Sequence, residues 1–236
     1  GYNINRDCGA TDTKHLQKVV LENNADLGIA FDGDGDRLIM VDHKGHQVDG
    51  DELVFIIANA WKESGDLKSK TVVGTKMTNL GIQSAFADAG ISFIEADVGD
   101  RHVMNQLITH KAVLGGEGSG HIICLNKSTS GDGIIAALQV LEVMSKTGKN
   151  LNDLKSRFTK YPQVLINVKT KSKVNLQGES KLTQAVNSIE SKLSNTGRIL
   201  IRESGTEPLI RVMVESANYK LAKDSAEELA EIIKTM

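Results

Sequence analysis

Two apolar runs flank an acidic turn in Leu27-Gly28-Ile29-Ala30-Phe31-Asp32-Gly33-Asp34-Gly35-Asp36-Arg37-Leu38-Ile39-Met40-Val41. The spacing predicts a strand over 27–31, a tight loop and a second strand over 38–42. Glycines 33 and 35 let the backbone curl through conformations closed to other residues. The side chains of Asp32, Asp34 and Asp36 can then converge on one point. Three hard oxygen donors in an incomplete cage suit Mg²⁺, which keeps positions open for water or a phosphate oxygen. A plain Asp/Gly turn is the bland alternative, and it does not account for three aspartates at strict spacing followed by Arg37.

Two other acidic-loop chemistries fit the spacing less well. An EF-hand needs glycine at its sixth loop position and glutamate at its twelfth, where this chain has Arg37 and His43. A haloacid-dehalogenase-type phosphatase also sets an Asp-x-Asp pair after a strand, with Asp32 as nucleophile and Asp34 as acid. It expects Thr or Val two residues after the pair, where this chain has Asp36.

Around the loop, strands and helices alternate. Helices are expected at 11 to about 22, 49–61, about 79–89, 100 to about 110 and 131–145. Strands are expected at 71–74, 91–95, 112–114 and 121–125, with a hairpin turn over 42–46. His43 and His46 read as solvated turn residues, and Gly90 as a left-handed helix stop. This alternation predicts an α/β fold with a mixed or parallel sheet and helices on its faces. Polar residues dominate about 147–161, and Pro162 disfavours helix before it. Strand 163–170, helix 178–193, strands 197–202 and 209–215 and helix 218–235 then make a small α+β unit. The expected domains are 1–45, the end of one carrying the metal loop; 46–157, with a Gly-rich loop; and 158–236 at the C-terminus.

Composition narrows the function. With 40% hydrophobic and 25% charged residues the chain reads as an ordinary globular protein. A net charge of -2 argues against a nucleic-acid or anionic-membrane binder. No apolar run reaches the ~18 residues of a membrane span, and the N-terminus does not read as a signal peptide. Cys8 and Cys124 fit neither a disulfide framework nor zinc spacing, and a reducing cytoplasm is the expected compartment.

Two further loops carry chemistry. Gly115-Gly116-Glu117-Gly118-Ser119-Gly120-His121 packs four glycines around Glu117, Ser119 and His121, a mixed donor and acceptor set that suits sugar hydroxyls. A Gly-rich turn whose polar groups merely face water is the alternative. Arg202-Glu203-Ser204-Gly205-Thr206-Glu207-Pro208, with Arg211 after it, offers cations, hydroxyls and freed backbone amides to a phosphate.

Metal, sugar and phosphate loops in this order resemble the α-D-phosphohexomutases. The matching motifs are FDGDGDR (31–37), GEGSGH (116–121) and RESGTEP (202–208). GTKMTN (74–79), VGDR (98–101), TSGDG (129–133) and PLIRVMVE (208–215) favour the phosphoglucosamine branch. Gly118 departs from the Gln or Asn often found there. The resemblance implies an isomerase that moves a phosphoryl group from a phosphoserine to the sugar phosphate and takes the other one back. It further implies Mg²⁺ on Asp32, Asp34 and Asp36, with Arg37 beside the transferring group. Glu117, Ser119 and His121 would face a hexosamine phosphate, and Arg202, Ser204, Gly205, Thr206 and Arg211 the non-reacting phosphate. Lys76 and Arg101 would serve as acid/base or charge-stabilising groups. The family's Ser-His-Asn-Pro phosphoserine loop occurs nowhere in the chain. The chain is therefore expected to be an inactive C-terminal part of a longer mutase, with a homodimer admitted for the whole protein. Phosphomannose or phosphoglucose specificity, and a non-catalytic sugar-phosphate module, are the alternatives.

Overall fold

The computed structural model describes residues 1–169, 179–204 and 208–236. The chain divides into two compact units, Gly1–Thr159 and Lys160–Met236.

In the first unit, α1 (Lys14–Glu22) lies on an antiparallel sheet of β1 (Leu27–Phe31), β2 (Leu38–Asp42) and β3 (Gln47–Val48). Phe31 pairs directly with Leu38, so residues 32–37 are the whole of the acidic loop. Helix α1 starts at Lys14 rather than residue 11. Gly9–Thr11 is a 3₁₀ turn, and Asp12 Oδ1 instead accepts from the Lys14 amide at 3.0 Å.

After it come α2 (Gly50–Ser64), β4 (Thr71–Thr75), α3 (Leu80–Asp88), β5 (Ser92–Ala96), α4 (Asp100–Thr109), β6 (Leu114–Gly116), β7 (Ile122–Cys124), α5 (Gly133–Thr147) and α6 (Leu151–Lys155). The strands form a mixed sheet in the order β5-β4-β6-β7, parallel except for the β6–β7 pair. Both faces are covered, which explains the near-continuous apolar strands. Val72, Leu114 and Ile122 point into the core built by α2, α3 and α5, while Val73, Ala96 and Ile123 pack with Val103 and Leu107 of α4. Leu38 and Met40 share the larger core, so residues 1–45 and 46–157 lie in one compact unit. Asp49 and Glu52 close a reciprocal capping box at the start of α2, as an Asp/Glu pair at this spacing allows.

Three further elements differ from expectation. Strand β6 runs over 114–116 instead of 112–114, because Gly115, a poor strand former by propensity, pairs with Val73 and Ile123. Helix α5 begins at Gly133 because Gly131 bridges to Ile123 and Asp132 is the cap. Helix α6 has too few turns to show a period, yet it buries Leu151 and Leu154.

The second unit comprises β8 (Gln163–Lys169), α7 (Ser180–Leu193), β9 (Gly197–Glu203), β10 (Leu209–Ser216) and α8 (Tyr219–Lys234). Its antiparallel sheet has the order β8-β10-β9. Val168, Ile210, Val212 and Val214 face Leu182 and Ile189 of α7 and Ala226 and Leu229 of α8 in a separate core. None of the described helices is long and apolar enough to cross a membrane.

Candidate active site

The parallel strands β4, β5 and β6 end at Thr75, Ala96 and Gly116. Lys76, residues 97–101 and residues 117–121 therefore leave the same, carboxyl edge of the sheet, where open α/β sheets bind their ligands.

The acidic loop is brought to this edge by backbone. The Leu38 amide donates to Gly120 O at 2.9 Å, Arg37 bridges to His121, and the Gly133 amide donates to Gly35 O at 2.9 Å. Gly120 has φ +96°, and a Cβ built on it would fall inside contact distance of Leu38 O, so this seam requires glycine. Within the loop, Asp32 Oδ1 accepts from the Arg37 amide at 3.2 Å, and Arg37 Nε stands 3.9 Å from Asp32 Oδ2. His121 Nδ1 lies 3.0 Å from Asp36 Oδ2. One carboxylate oxygen from each of Asp32, Asp34 and Asp36 falls within 4.8 Å of the others. Asp36 Oδ1 is buried with no hydrogen-bond partner among the described residues.

In the Gly-rich loop, Glu117 Oε1 accepts from the Gly99 amide at 2.9 Å, tying this loop to the start of α4. The Gly50 amide, at the start of α2, donates to Gly118 O at 3.2 Å. A Cβ on Gly118 would stand 3.3 Å from Asp51 Oδ2, which itself accepts from the Asn79 amide at 3.1 Å. His121 is buried and turned to Asp36, while Ser119 is exposed. Arg101, Met104 and Ser130 line a cleft of about 390 Å³ together with Asp36 and His121. Lys76 is not among the residues lining this cleft; its Nζ pairs with Asp97 Oδ1 at 2.6 Å. The hydrogen bond and charge of Asp97 raise the Lys76 ammonium above its ordinary range, with Glu95 adding to the effect. The pairing with Asp97 thus favours the charged ammonium form of Lys76.

In the second unit, Arg211 and Arg202 are direct cross-strand partners, so both stand on one face of the sheet. Like charges directly opposite one another are unfavourable in themselves. Arg211 Nε is buried and finds no hydrogen-bond partner among the described residues. The Ser204 amide donates to Leu209 O at 2.9 Å across the loop base. Gly205 and Thr206 lie outside the described residues.

Three contacts at the site had no signal in the sequence: Asp36 with His121, Glu117 with the Gly99 amide, and Asn5 Oδ1 with the Gly33 amide at 2.9 Å. Their partners are 85, 18 and 28 residues apart, beyond the reach of local spacing. Asp51 was hidden by position, since an acid in a first helical turn is ordinary.

Comparison with known proteins points to one family. Residues 8–45, 49–161 and 165–232 match, in order, phosphoglucomutase/phosphomannomutase alpha/beta/alpha domain II, alpha/beta/alpha domain III and the C-terminal domain. The chain is 62% identical over 234 residues to the phosphoglucosamine mutase of Ruthia magnifica subsp. Calyptogena magnifica, covering 99% of this chain and 53% of that protein. With the phosphoglucosamine mutase of Methylococcus capsulatus it shares 53% over 230 residues, covering 98% and 51%. The chain thus spans about half the length of the curated relatives it matches. Among solved structures, N-acetylglucosamine-phosphate mutase in a substrate complex superposes with a TM-score of 0.80 at 23% identity, covering 97% of this chain and 53% of that one. Aspergillus fumigatus N-acetylphosphoglucosamine mutase, solved with GlcNAc-6P and magnesium, gives 0.79 at 20% identity, covering 97% and 56%. Domain matches in unbroken order, falling on the acidic, Gly-rich and arginine-flanked loops, establish that the chain belongs to the phosphoglucomutase/phosphomannomutase family of α-D-phosphohexomutases.

Proposed function

We propose that these residues are the metal-, sugar- and phosphate-binding part of a phosphoglucosamine mutase, which interconverts glucosamine 6-phosphate and glucosamine 1-phosphate. The observation that carries this reading is the seam between the acidic and Gly-rich loops. Leu38–Gly120 and Asp36–His121 make one site of a carboxylate cluster and a hydroxyl-binding loop. The identity of 62% to a phosphoglucosamine mutase supports that branch over the phosphomannose and phosphoglucose ones.

The residues fit Mg²⁺: three carboxylates converge, and the buried Asp36 Oδ1 lacks any other partner among the described residues. Asp32, Asp34 and Asp36 would hold it. Bound there, it would offset negative charge on the oxygens of a phosphoryl group in transfer. Arg37 would lie beside that group and add a second positive charge. Glu117 would offer a carboxylate oxygen to a sugar hydroxyl while the other holds Gly99, and Ser119 would offer its hydroxyl. His121 would fix Asp36 from behind, and Lys76 and Arg101 would contribute charge at the rim. Arg202, Ser204 and Arg211, with Gly205 and Thr206, would grip a phosphate, which positions the sugar for reaction at its other end.

In the first half-reaction the Oγ–P bond of a phosphoserine would break as a sugar hydroxyl oxygen bonds to phosphorus, the hydroxyl proton ending on the serine oxygen. In the second, the O–P bond at the other sugar position would break as the serine oxygen bonds to that phosphorus, and the proton returns to the sugar oxygen. The Asp-nucleophile alternative is disfavoured, because Asp36 stands where that chemistry expects Thr or Val.

The complete open reading frame should convert glucosamine 6-phosphate to the 1-phosphate in a coupled assay, and these 236 residues alone should not. Asp34→Ala in the complete protein should cut turnover at least a hundredfold while leaving the fold intact. Near-normal turnover in that variant would make the loop structural and overturn the assignment.

A further inference from the structure

We infer that Asn5 is a positioning residue for the metal loop, holding the Gly33 peptide so that Asp34 stays aimed at the metal; this rests on the metal reading above. Each of the three carboxylates has a different holder. Asp32 is fixed by the Arg37 amide, and Asp36 by His121. The Asp34 carboxylate is exposed and makes no hydrogen bond or ion pair among the described residues. Its placement comes from the two peptide groups that flank it. Gly35 O accepts from the Gly133 amide, and the Gly33 amide donates to Asn5 Oδ1.

The Asn5 anchor is itself built. Asn5 adopts φ +59°, a left-handed conformation that asparagine tolerates better than most side chains. Thr11 Oγ1 lies 3.1 Å from Asn5 O and 3.0 Å from Cys8 O, so the turn that carries Asn5 is tied to the 3₁₀ segment before α1. A Cβ built on Gly33 would meet Ile4 Cγ2, so segment 4–5 lies directly against the loop, with Ile4 itself largely exposed. A side-chain acceptor held by its own turn and aimed at the peptide between two ligands is what a metal's outer shell requires.

The test measures Mn²⁺ binding to the 236-residue chain by the electron paramagnetic resonance of free Mn²⁺, alongside unfolding of the metal-free protein. Asn5→Ala should weaken Mn²⁺ about tenfold. Asn5→Asp, which keeps the acceptor, should bind at least as tightly as the wild type. Metal-free unfolding should change little in either variant. Unchanged affinity in Asn5→Ala beside lost binding in Asp34→Asn would overturn the role of Asn5 and leave the metal loop standing. Equal weakening in Asn5→Ala and Asn5→Asp would also overturn it, because the acceptor would then not be the cause. A wild type that does not bind Mn²⁺, or an Asp34→Asn variant that binds it normally, would sink both readings.

Discussion

Replacing Lys155 by Met should destabilise the first unit by about 3 kcal/mol at neutral pH. Asp42 closes β2, the strand that leaves the metal loop, and its side chain is fully buried. Lys155 Nζ of α6 stands 2.9 Å from Asp42 Oδ2 and is itself mostly covered. Removing one partner of a buried pair typically costs about 3–5 kcal/mol, because the other charge is left stranded. The low end applies here, since Oδ1 keeps the Lys44 and His46 amides, both at 2.9 Å. Methionine retains the apolar stem, so lost packing contributes little.

The assay is urea unfolding followed by the fluorescence of Trp61. This is the single tryptophan and is buried in the first unit, so it reports that unit without interference from the other. At a slope of about 2 kcal/mol per molar, the midpoint should fall by about 1.5 M.

The pH dependence gives a second check. Burial pushes the Asp42 carboxyl up, but Lys155 and the amides of His46 and Lys44 outweigh it and hold the group below its ordinary 3.8. The depressed group contributes stability that is present above the unfolded value of about 3.9 and is lost as pH falls through the folded one. Without Lys155 its lowering influence is gone and the folded value moves up. The variant therefore has less of this stability to lose on acidification, and the gap to wild type should narrow as pH falls from about 5 to about 3. His46 Nδ1, 3.6 Å from Asp42 Oδ2, is the other ionisable group in reach, so the series is repeated in a His46→Gln background. A cost under about 1 kcal/mol at pH 7, or a gap of constant size, would refute the argument.

Gly120→Ala forces a side chain into a left-handed backbone position against Leu38 O. It should cost about 2 kcal/mol or more in the same Trp61 assay and weaken Mn²⁺ binding, whereas a loss near zero would mean that the seam relaxes freely. Arg211→Ala removes a cation whose Nε is buried opposite Arg202. Phosphate titrated calorimetrically should bind about tenfold more weakly or worse, and equal affinity would count against this face as the anion site.

What was legible in the sequence was whatever depends on near neighbours. The bounds of β1 and β2 follow from apolar runs meeting an acidic turn, and Phe31 opposite Leu38 is the pairing that such a turn enforces. Asp32, Asp34 and Asp36 converge within five residues, so spacing alone could group them. Strand β6 drifted because two of its three residues are glycines, which carry no strand signal of their own. Helix α6 was missed because five residues cannot display a helical period. His121 was read as part of the sugar loop, and its turn toward Asp36 depends on the β6–β7 hairpin meeting the acidic loop, a tertiary event with no local trace. The facing arginines needed the β9–β10 register, which sets position 202 opposite 211.

The way these loops are fastened decides which substitutions can separate function from folding. The acidic loop is fastened through backbone groups, Leu38 to Gly120 of the Gly-rich loop and Gly35 to Gly133 at the start of α5. Asp34 adds no bond of its own among the described residues, so its removal should delete a metal ligand and little else. Glu117 is different, because its carboxylate also holds the Gly99 amide at the start of α4. Truncating it would leave that amide without its acceptor, and in a buried setting this costs about 1–3 kcal/mol. Loss of activity on truncating Glu117 would therefore mix a lost sugar contact with a loosened loop. Glu117→Gln, which keeps an oxygen for Gly99 and turns the other terminal atom from a charged acceptor into an NH2 donor, is the substitution that alters the sugar contact while leaving the loop tied.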